Sequence, residues 1–375
     1  MSDFLGRLTA AAAERDARGL HREVRAFDPA SVLDLAGNDY LGLRTHPRVL
    51  DSAIAATRAY GAGAGASRLV TGTLGIHEDL ERRLADLAGA PSALVLSSGY
   101  AANLATVTAL ADADTLIVSD AHAHASLIDG ARLSRAGVAV ARHNDIDHVR
   151  GLLATRTQTH ALVIVESIYS VLGDRAPLRD LIALTAESGA VLVVDEAHAL
   201  GAAGPGGAGL VAETLAGQAF PTHVVITATL SKAFGSQGGV VLARAEVREH
   251  LVNTARSFIY DTGLAPAAAG AALGALDVII DQPVLLDQLQ HNATQLAAAC
   301  GIEPPGGAVM SVTMSGPEAA LAAVDAAQAH GIRIGCFRPP STPDGSSRLR
   351  ITAHAHHSAD QIATAATVLK ELVHR

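Results

Sequence analysis

Seven short apolar runs constrain this chain more than any other feature. They fall at residues 93–96, 115–118, 138–141, 161–165, 191–194, 224–227 and 240–243. Six of them are dense in Val, Ile and Leu, with too little polar alternation for a sheet wetted on one face. Runs of that kind are the buried strands of a mainly parallel sheet covered on both faces. The stretches between them, such as 80–88, 100–111 and 178–188, are long enough for crossover helices. Strand and helix in turn define an α/β fold, doubly wound. Its ligands are expected at the C-terminal ends of the strands.

The pattern changes on both sides of this block. Residues 1–26 read as a polar, arginine-rich helix. An apolar run at 32–35, the turn segment Gly37-Asn38-Asp39, a helix over 48–60 and a flexible Gly-Ala loop over 61–66 follow. Beyond about residue 270, helices are expected over 284–300 and 317–330, and strands over 310–314 and 348–352. The last segment, 358–373, reads as an amphipathic helix opened by a capping box, Ser358 with Gln361 three residues on. Three parts are therefore expected: an N-terminal helical segment (1–40), a large sheet domain (41–270) and a small α+β domain (271–375).

Composition closes off several classes. A content of 49% hydrophobic and 17% charged residues is globular, not disordered. The net charge of −9 offers no basic face for a nucleic acid. No apolar run reaches the ~18 residues of a membrane span, and the nearest, 264–276, is rich in Ala and Gly and stops at Asp277. Arg7, Glu14, Arg15 and Asp16 interrupt any signal-peptide core. Cys300 and Cys336 make no disulfide framework and fit a reducing cytosol. A soluble, cytoplasmic, enzyme-sized protein is expected.

The cations point to chemistry. Of 28 Lys and Arg residues, only Lys232 and Lys370 are lysine. Lys232 lies in Thr229-Leu230-Ser231-Lys232-Ala233-Phe234-Gly235, just after an apolar run. A guanidinium is effectively never deprotonated, whereas an amine can lose its proton and attack a carbonyl. A lone lysine in a small, Gly-flanked loop at a strand end therefore points to imine chemistry. Lysine-bound pyridoxal phosphate needs an anion opposite its ring nitrogen, and Asp195 ends the neighbouring run. The phosphate needs backbone N–H groups at a helix start, and Ser97-Ser98-Gly99-Tyr100 stands between a strand and a helix. Taken singly, each feature has a plainer meaning: a surface lysine, an Asp capping a helix, an ordinary strand–helix turn.

Other motifs carry less. Gly61-x-Gly63-x-x-Ala66 matches a dinucleotide fingerprint in spelling, but it follows a helical stretch where a strand is required. A hinge or substrate loop fits it better. Asp195-Glu196-Ala197-His198 spells a helicase motif, yet the chain has no phosphate loop ending Gly-Lys-Ser/Thr. Neither His122 with His124, nor the group His354, His356 and His357, shows the spacing of a metal set, so no metal is expected.

Taken together, these residues resemble the α-oxoamine synthases, pyridoxal-phosphate enzymes of the aspartate-aminotransferase fold (fold type I). The resemblance runs over nearly the whole chain. Its motifs are Asn38-Asp39-Tyr40-Leu41-Gly42-Leu43, Gly65-Ala66-Ser67-Arg68-Leu69-Val70-Thr71-Gly72, Ser98-Gly99-Tyr100-Ala101-Ala102-Asn103, His124-Ala125-Ser126-Leu127, Asp195-Glu196-Ala197-His198, Thr229-Leu230-Ser231-Lys232 and Arg348-Leu349-Arg350-Ile351-Thr352. By resemblance, Lys232 is the imine-forming lysine and Asp195 pairs with the ring nitrogen. His198 meets the phenolic oxygen with Ser170 nearby, and His124 stacks on the ring. The amides of Gly99 and Tyr100, with the Thr229 hydroxyl, hold the phosphate. Arg350 binds the carboxylate of the amino acid, Asn38 and Ser341 touch substrate, and Arg22 meets the far carboxylate of the acyl chain. Two segments depart from the family wording. Gly19-Leu20-His21-Arg22 has one arginine where relatives carry a pair. Ile168-Tyr169-Ser170-Val171-Leu172-Gly173 differs from the usual wording, while Ser170 and Gly173 keep the spacing.

The activity implied is a decarboxylative condensation of an amino acid with an acyl thioester. The stretch from Ser67 to Gly72 favours the biotin-pathway member, which joins L-alanine to a pimeloyl thioester carried on coenzyme A or on a carrier protein. The alternatives are a relative using glycine or serine with an acetyl, succinyl or palmitoyl thioester, and a catalytically inactive binding protein on the same fold. A homodimer with its active site at the interface is also implied.

Overall fold

All seven apolar runs become strands of one sheet in the computed structural model of the chain. It describes every residue except 1, 2, 19, 22, 23, 25, 27, 29–31, 340, 341, 343, 374 and 375. Strand β1 (Leu33–Leu35) comes first. The large sheet holds β2 (Ser92–Leu96), β3 (Thr115–Asp120), β4 (Gly137–Ala141), β5 (His160–Glu166), β6 (Val191–Asp195), β7 (Val224–Thr229) and β8 (Gly239–Ala243). Strands β9 (Val309–Met314), β10 (Ile332–Phe337) and β11 (Ser347–Thr352) follow.

The large sheet has the order β2-β8-β7-β6-β5-β3-β4. Only β8 runs against its neighbours, β2 and β7, and the other pairings are parallel. Side chains alternate between two cores, as the pleat requires. Leu162, Ile164 and Val193 join helices Gly99–Leu110 and Ala125–Ser134 on one face. Val163, Val165 and Val194 join helices Gly75–Ala88, Leu178–Ser188 and Pro266–Asp281 on the other. Burial on both faces is why the strand sequences read as continuous apolar runs.

Parallel register sets the crest. Glu166 stands opposite Asp195, and Asp195 opposite Thr227. Three strand ends thus deliver polar side chains to one edge of the sheet.

The small sheet has the order β1-β10-β11-β9, with β1 parallel to β10 and the rest antiparallel. Its core is shared with helices Val284–Ala299, Pro317–Ala329 and Ala359–Val373. The capping box of the last helix is formed: Ser358 N–H donates to Gln361 Oε1 (2.9 Å) and Gln361 N–H to Ser358 Oγ (3.3 Å). The expected division at residue 270 falls inside helix Pro266–Asp281, and β1 ties the N-terminal segment to the small sheet.

One expectation is corrected at the N-terminus. The first helix spans Asp3–Ala17 rather than reaching residue 26, and Leu20 N–H turns back to the Arg15 carbonyl to close it. No residue of that helix is buried, so no packing extends it. Among the described residues, no single helix is long and apolar enough to cross a membrane.

Candidate active site

A cavity of about 280 Å³ opens at the crest of the large sheet. Lys232, Asp195, His198, His124, Gly99, Tyr100 and Thr229 all line it, from segments spread over more than a third of the chain. Asp195 ends β6, and its Oδ1 accepts the Ala197 N–H (2.9 Å). Asp195 thus caps the turn as well as facing the cavity. The next residue does neither: Glu196 points away, and its Oε1 takes the Leu210 and Val211 N–H groups at the start of another helix.

Lys232 sits in a tight turn after β7. Ser231 N–H donates to Thr229 Oγ1 (3.2 Å), Leu230 N–H to the Gly238 carbonyl and Gly235 N–H to the Lys232 carbonyl. Gly235 is required there, because its φ is +58° and a Cβ would lie 2.3 Å from Arg44 N. Lys232 Nζ is 2.9 Å from His198 Nε2. Burial pushes the amine down to about 8 against the opposing pull of Asp195. Burial, then the Lys232 and Arg350 charges, holds His198 well below its ordinary range, so its imidazole is neutral.

The other His198 nitrogen leads to a second cluster. Nδ1 lies 2.7 Å from the Tyr40 hydroxyl, which donates to Asn38 Oδ1 (3.0 Å). Asn38 Oδ1 also accepts from Arg350 Nη2 (3.1 Å), and Arg350 Nε donates to the Ser170 carbonyl (2.6 Å). Ser170 N–H in turn donates to Glu166 Oε2 (3.0 Å). Asn38, Ser170 and Arg350 therefore stand together behind the cavity wall, joined to it through Tyr40. Arg22 and Ser341 lie outside the described residues.

The helix Gly99–Leu110 starts at the cavity. Ser98 caps it, its Oγ accepting the Ala101 N–H (3.0 Å), which leaves the first amides facing the open space. A Cβ on residue 99 would come within 2.8 Å of Thr229 Cβ, so only glycine lets helix and strand end approach this closely. The motif residue Arg68 is buried as scaffold instead, paired with Glu81 (2.9 Å), which also holds Arg248 (3.0 Å).

Five cavity or cluster residues escaped the sequence reading. Asn103 donates to Asp195 Oδ2 (2.7 Å) and Ser126 Oγ (2.8 Å). Ser126 and Tyr40, like Asn103, sat inside motifs already noted. Glu166 and Gln237 line the cavity without any motif. Glu166 had one signal, a carboxylate ending an apolar run just as Asp195 does. Among the described residues, no group of three or more His, Cys, Asp or Glu side chains is placed to hold a metal.

This cavity has the parts of a pyridoxal-phosphate site. A buried amine with a lowered pKa faces a carboxylate, and an amide-lined helix start touches a strand-end hydroxyl. The chain belongs to the class I and II aminotransferase family, whose model matches residues 30–369. The kinship expected from the motifs is found in individual relatives. 8-Amino-7-oxononanoate synthase of Mycolicibacterium gilvum is 52% identical over 364 residues, 96% of this chain and 95% of that one. A solved serine palmitoyltransferase from S. paucimobilis, with a bound pyridoxal phosphate–myriocin aldimine, superposes with a TM-score of 0.90. It is 28% identical and covers 99% of this chain and 98% of that one. A solved 8-amino-7-oxononanoate synthase from Francisella tularensis gives 0.79 at 26% identity, covering 92% and 98%.

Proposed function

We propose that this chain is an 8-amino-7-oxononanoate synthase, condensing L-alanine with a pimeloyl thioester to give 8-amino-7-oxononanoate, CO₂ and the free thiol. The observation that carries the reading is the 52% identity to a synthase of that name along nearly the full length of both chains. The site supports it: Lys232, Asp195, His198 and His124 stand around one cavity.

Pyridoxal phosphate, when bound, supplies a carbonyl for an amino group and an electron-poor ring that draws charge from Cα. The chain's residues do the rest. Gly99 and Tyr100 N–H groups and the Thr229 hydroxyl hold the phosphate at the helix start. Asp195 keeps the proton on the ring nitrogen, held itself by Ala197 and Asn103. His198 meets the phenolic oxygen, with Ser170 nearby, and His124 covers a ring face. Arg350 takes the alanine carboxylate, with Asn38 and Ser170 fixing its guanidinium. Lys232, lowered by burial, removes the Cα proton as a neutral amine. Arg22 is assigned to the far carboxylate of the acyl chain and Ser341 to the substrate, by motif alone.

Exposed apolar side chains, one of them on the cavity lining, support a homodimer with a shared site. Tyr100 is 44%, Val70 75% and Tyr260 72% exposed, more than a lone globule needs to leave in water. The two free thiols, Cys300 and Cys336, support a cytoplasmic location. The chain divides into an N-terminal segment (1–40), a large domain (41–270) and a small domain (271–375).

A second reading has its own observation. The serine palmitoyltransferase superposes better than the solved oxononanoate synthase, 0.90 against 0.79. Thiol release from pimeloyl, acetyl, succinyl and palmitoyl thioesters, each with alanine, glycine and serine, separates the two. Coenzyme A and carrier-protein forms of the pimeloyl donor belong in the same panel. Release confined to alanine with pimeloyl donors is expected; faster release with serine and palmitoyl donor would replace this reading with the second.

A further inference from the structure

Asn103 sits where two halves of the site meet, on the second turn of helix Gly99–Leu110 and 3% exposed. Hydrogen-bond chemistry leaves its amide one orientation. As the anion that meets a ring nitrogen, Asp195 offers only acceptors. The atom of Asn103 2.7 Å from Asp195 Oδ2 must therefore be Nδ2, a donor. Asn103 Oδ1 then accepts from Thr227 Oγ1 (2.6 Å). The second Nδ2 proton goes to Ser126 Oγ (2.8 Å). Turning the amide over would press Oδ1 against the carboxylate.

The consequence travels one residue further. Ser126 Oγ, having accepted, gives its own hydrogen to His124 Nδ1 (2.7 Å). The backbone N–H of Ser126 aims at the same nitrogen (3.2 Å). Two donors facing Nδ1 require it to be unprotonated, so the ring carries its proton on Nε2 and is neutral. Burial also holds His124 below its ordinary range.

We propose that Asn103 is the positioning residue of this site: one amide fixes the orientation of Asp195 and, through Ser126, keeps His124 a neutral Nε2–H imidazole. The proposal rests on the reading above that Asp195 meets the ring nitrogen and His124 a ring face. Its logic is electrostatic. An imidazolium against a protonated ring would set two cations face to face, and their repulsion is strong in a site shielded from water. The same amide that helps Asp195 keep the ring protonated holds His124 uncharged.

The test begins with the unaltered holoenzyme carrying ¹⁵N-histidine. Ring signals of His124, assigned by their loss in His124→Gln, should show a bare Nδ1 and a protonated Nε2 from about pH 6 to 9. A protonated Nδ1 overturns the proposal without any variant having to fold. Absorbance titration with pyridoxal phosphate follows. Asn103→Leu should weaken cofactor binding at least about tenfold and move the His124 signals. Ser126→Ala should move the signals and leave cofactor affinity within about twofold. An Asn103→Leu protein with wild-type affinity and wild-type signals overturns the proposal. Asp195→Asn separates the underlying reading: an unchanged visible spectrum there removes Asp195 from the ring, whereas a changed spectrum with an inert Asn103→Leu removes only the positioning role.

Discussion

Glu166 and Asp195 end adjacent parallel strands in register, so two buried carboxyls stand side by side beneath one lysine. The two are not equivalent. Both Asp195 oxygens accept N–H donors, whereas Glu166 Oε1 has no partner. Burial, then the charge of Asp195, raises Glu166 to about 8. Near neutral pH Glu166 is thus a carboxylic acid, and Asp195 is the member assigned the ring nitrogen.

Glu166→Gln tests this directly. A raised acid binds more protons folded than unfolded, so stability falls as pH rises from its unfolded value through about 8. The isosteric amide lacks that liability. Its melting temperature should match the wild type near pH 5 and exceed it increasingly toward pH 8.5, and activity should stay within about threefold. Parallel melting curves for the two proteins would refute the protonated form. Asp195→Asn, by contrast, should lose at least about 10³-fold in turnover.

The lowered lysine gives a second pH signature. Only a neutral amine attacks a carbonyl. With Lys232 at about 8, roughly a quarter of it is neutral at pH 7.5, against about a thousandth for an unperturbed lysine. The rate at which cofactor-free protein takes up pyridoxal phosphate should climb from pH 6 and level off above about 8.5. A rate still climbing tenfold per unit at pH 9.5 would show an ordinary amine. Lys232→Ala should form no visible imine band at all.

Arg350 is fixed by two contacts, Asn38 and the Ser170 carbonyl. Arg350→Ala should raise the KM for alanine about 100-fold, the loss of a charge-assisted pair, with a smaller change in kcat. Initial rates at saturating pimeloyl donor measure this. An unchanged KM would take Arg350 out of the substrate site.

His143 forms an ion-pair cluster away from the cavity. Its Nδ1 bonds Asp120 Oδ1 and its Nε2 bonds Asp174 Oδ2, each at 2.8 Å. Burial lowers its pKa, but the two carboxylates win and raise it to about 9. The His122 ring and the buried Tyr169 ring also face it, 4.5 and 4.4 Å away. A raised histidine stabilises fully below its unfolded pKa of 6.5, and that stabilisation is lost as pH rises through about 9. His143→Gln should therefore be less stable than wild type by on the order of 2 kcal/mol near pH 6.5 and almost equal to it above pH 10. Urea unfolding at the two pH values decides; a gap that does not narrow would place the effect in packing.

How much of this was legible in the sequence depended on how locally each residue was determined. Strands such as β5 and β6 are buried on both faces, and their side chains announce that by composition alone. Strand β10, Ile-Arg-Ile-Gly-Cys-Phe, was missed because Arg333 is exposed and Gly335 breaks the run. Asp195 and Lys232 were legible because one closes a recognisable strand and the other lies in the turn just after one. The roles of Glu166 and Asn103 were not. Glu166 matters only through its register with β6, and Asn103 only through a helix from which its side chain reaches two strands, β6 and β7. Such relations are set by tertiary packing, which no local pattern encodes.

Strand β1 has a consequence for how the chain comes together. Among the described residues its partner is β10, with Leu33 opposite Ile332, so β1 stays unpaired until nearly nine-tenths of the chain has been made. Closing an open loop of that length costs about 5 kcal/mol of chain entropy. Prior folding of the large sheet, whose strands all lie between the two, shortens the effective gap before the pair forms. The first strand to leave the ribosome is then among the last to find its place. Slow refolding, with β1 amides gaining exchange protection after those of β5 and β6, is the expected trace of that order.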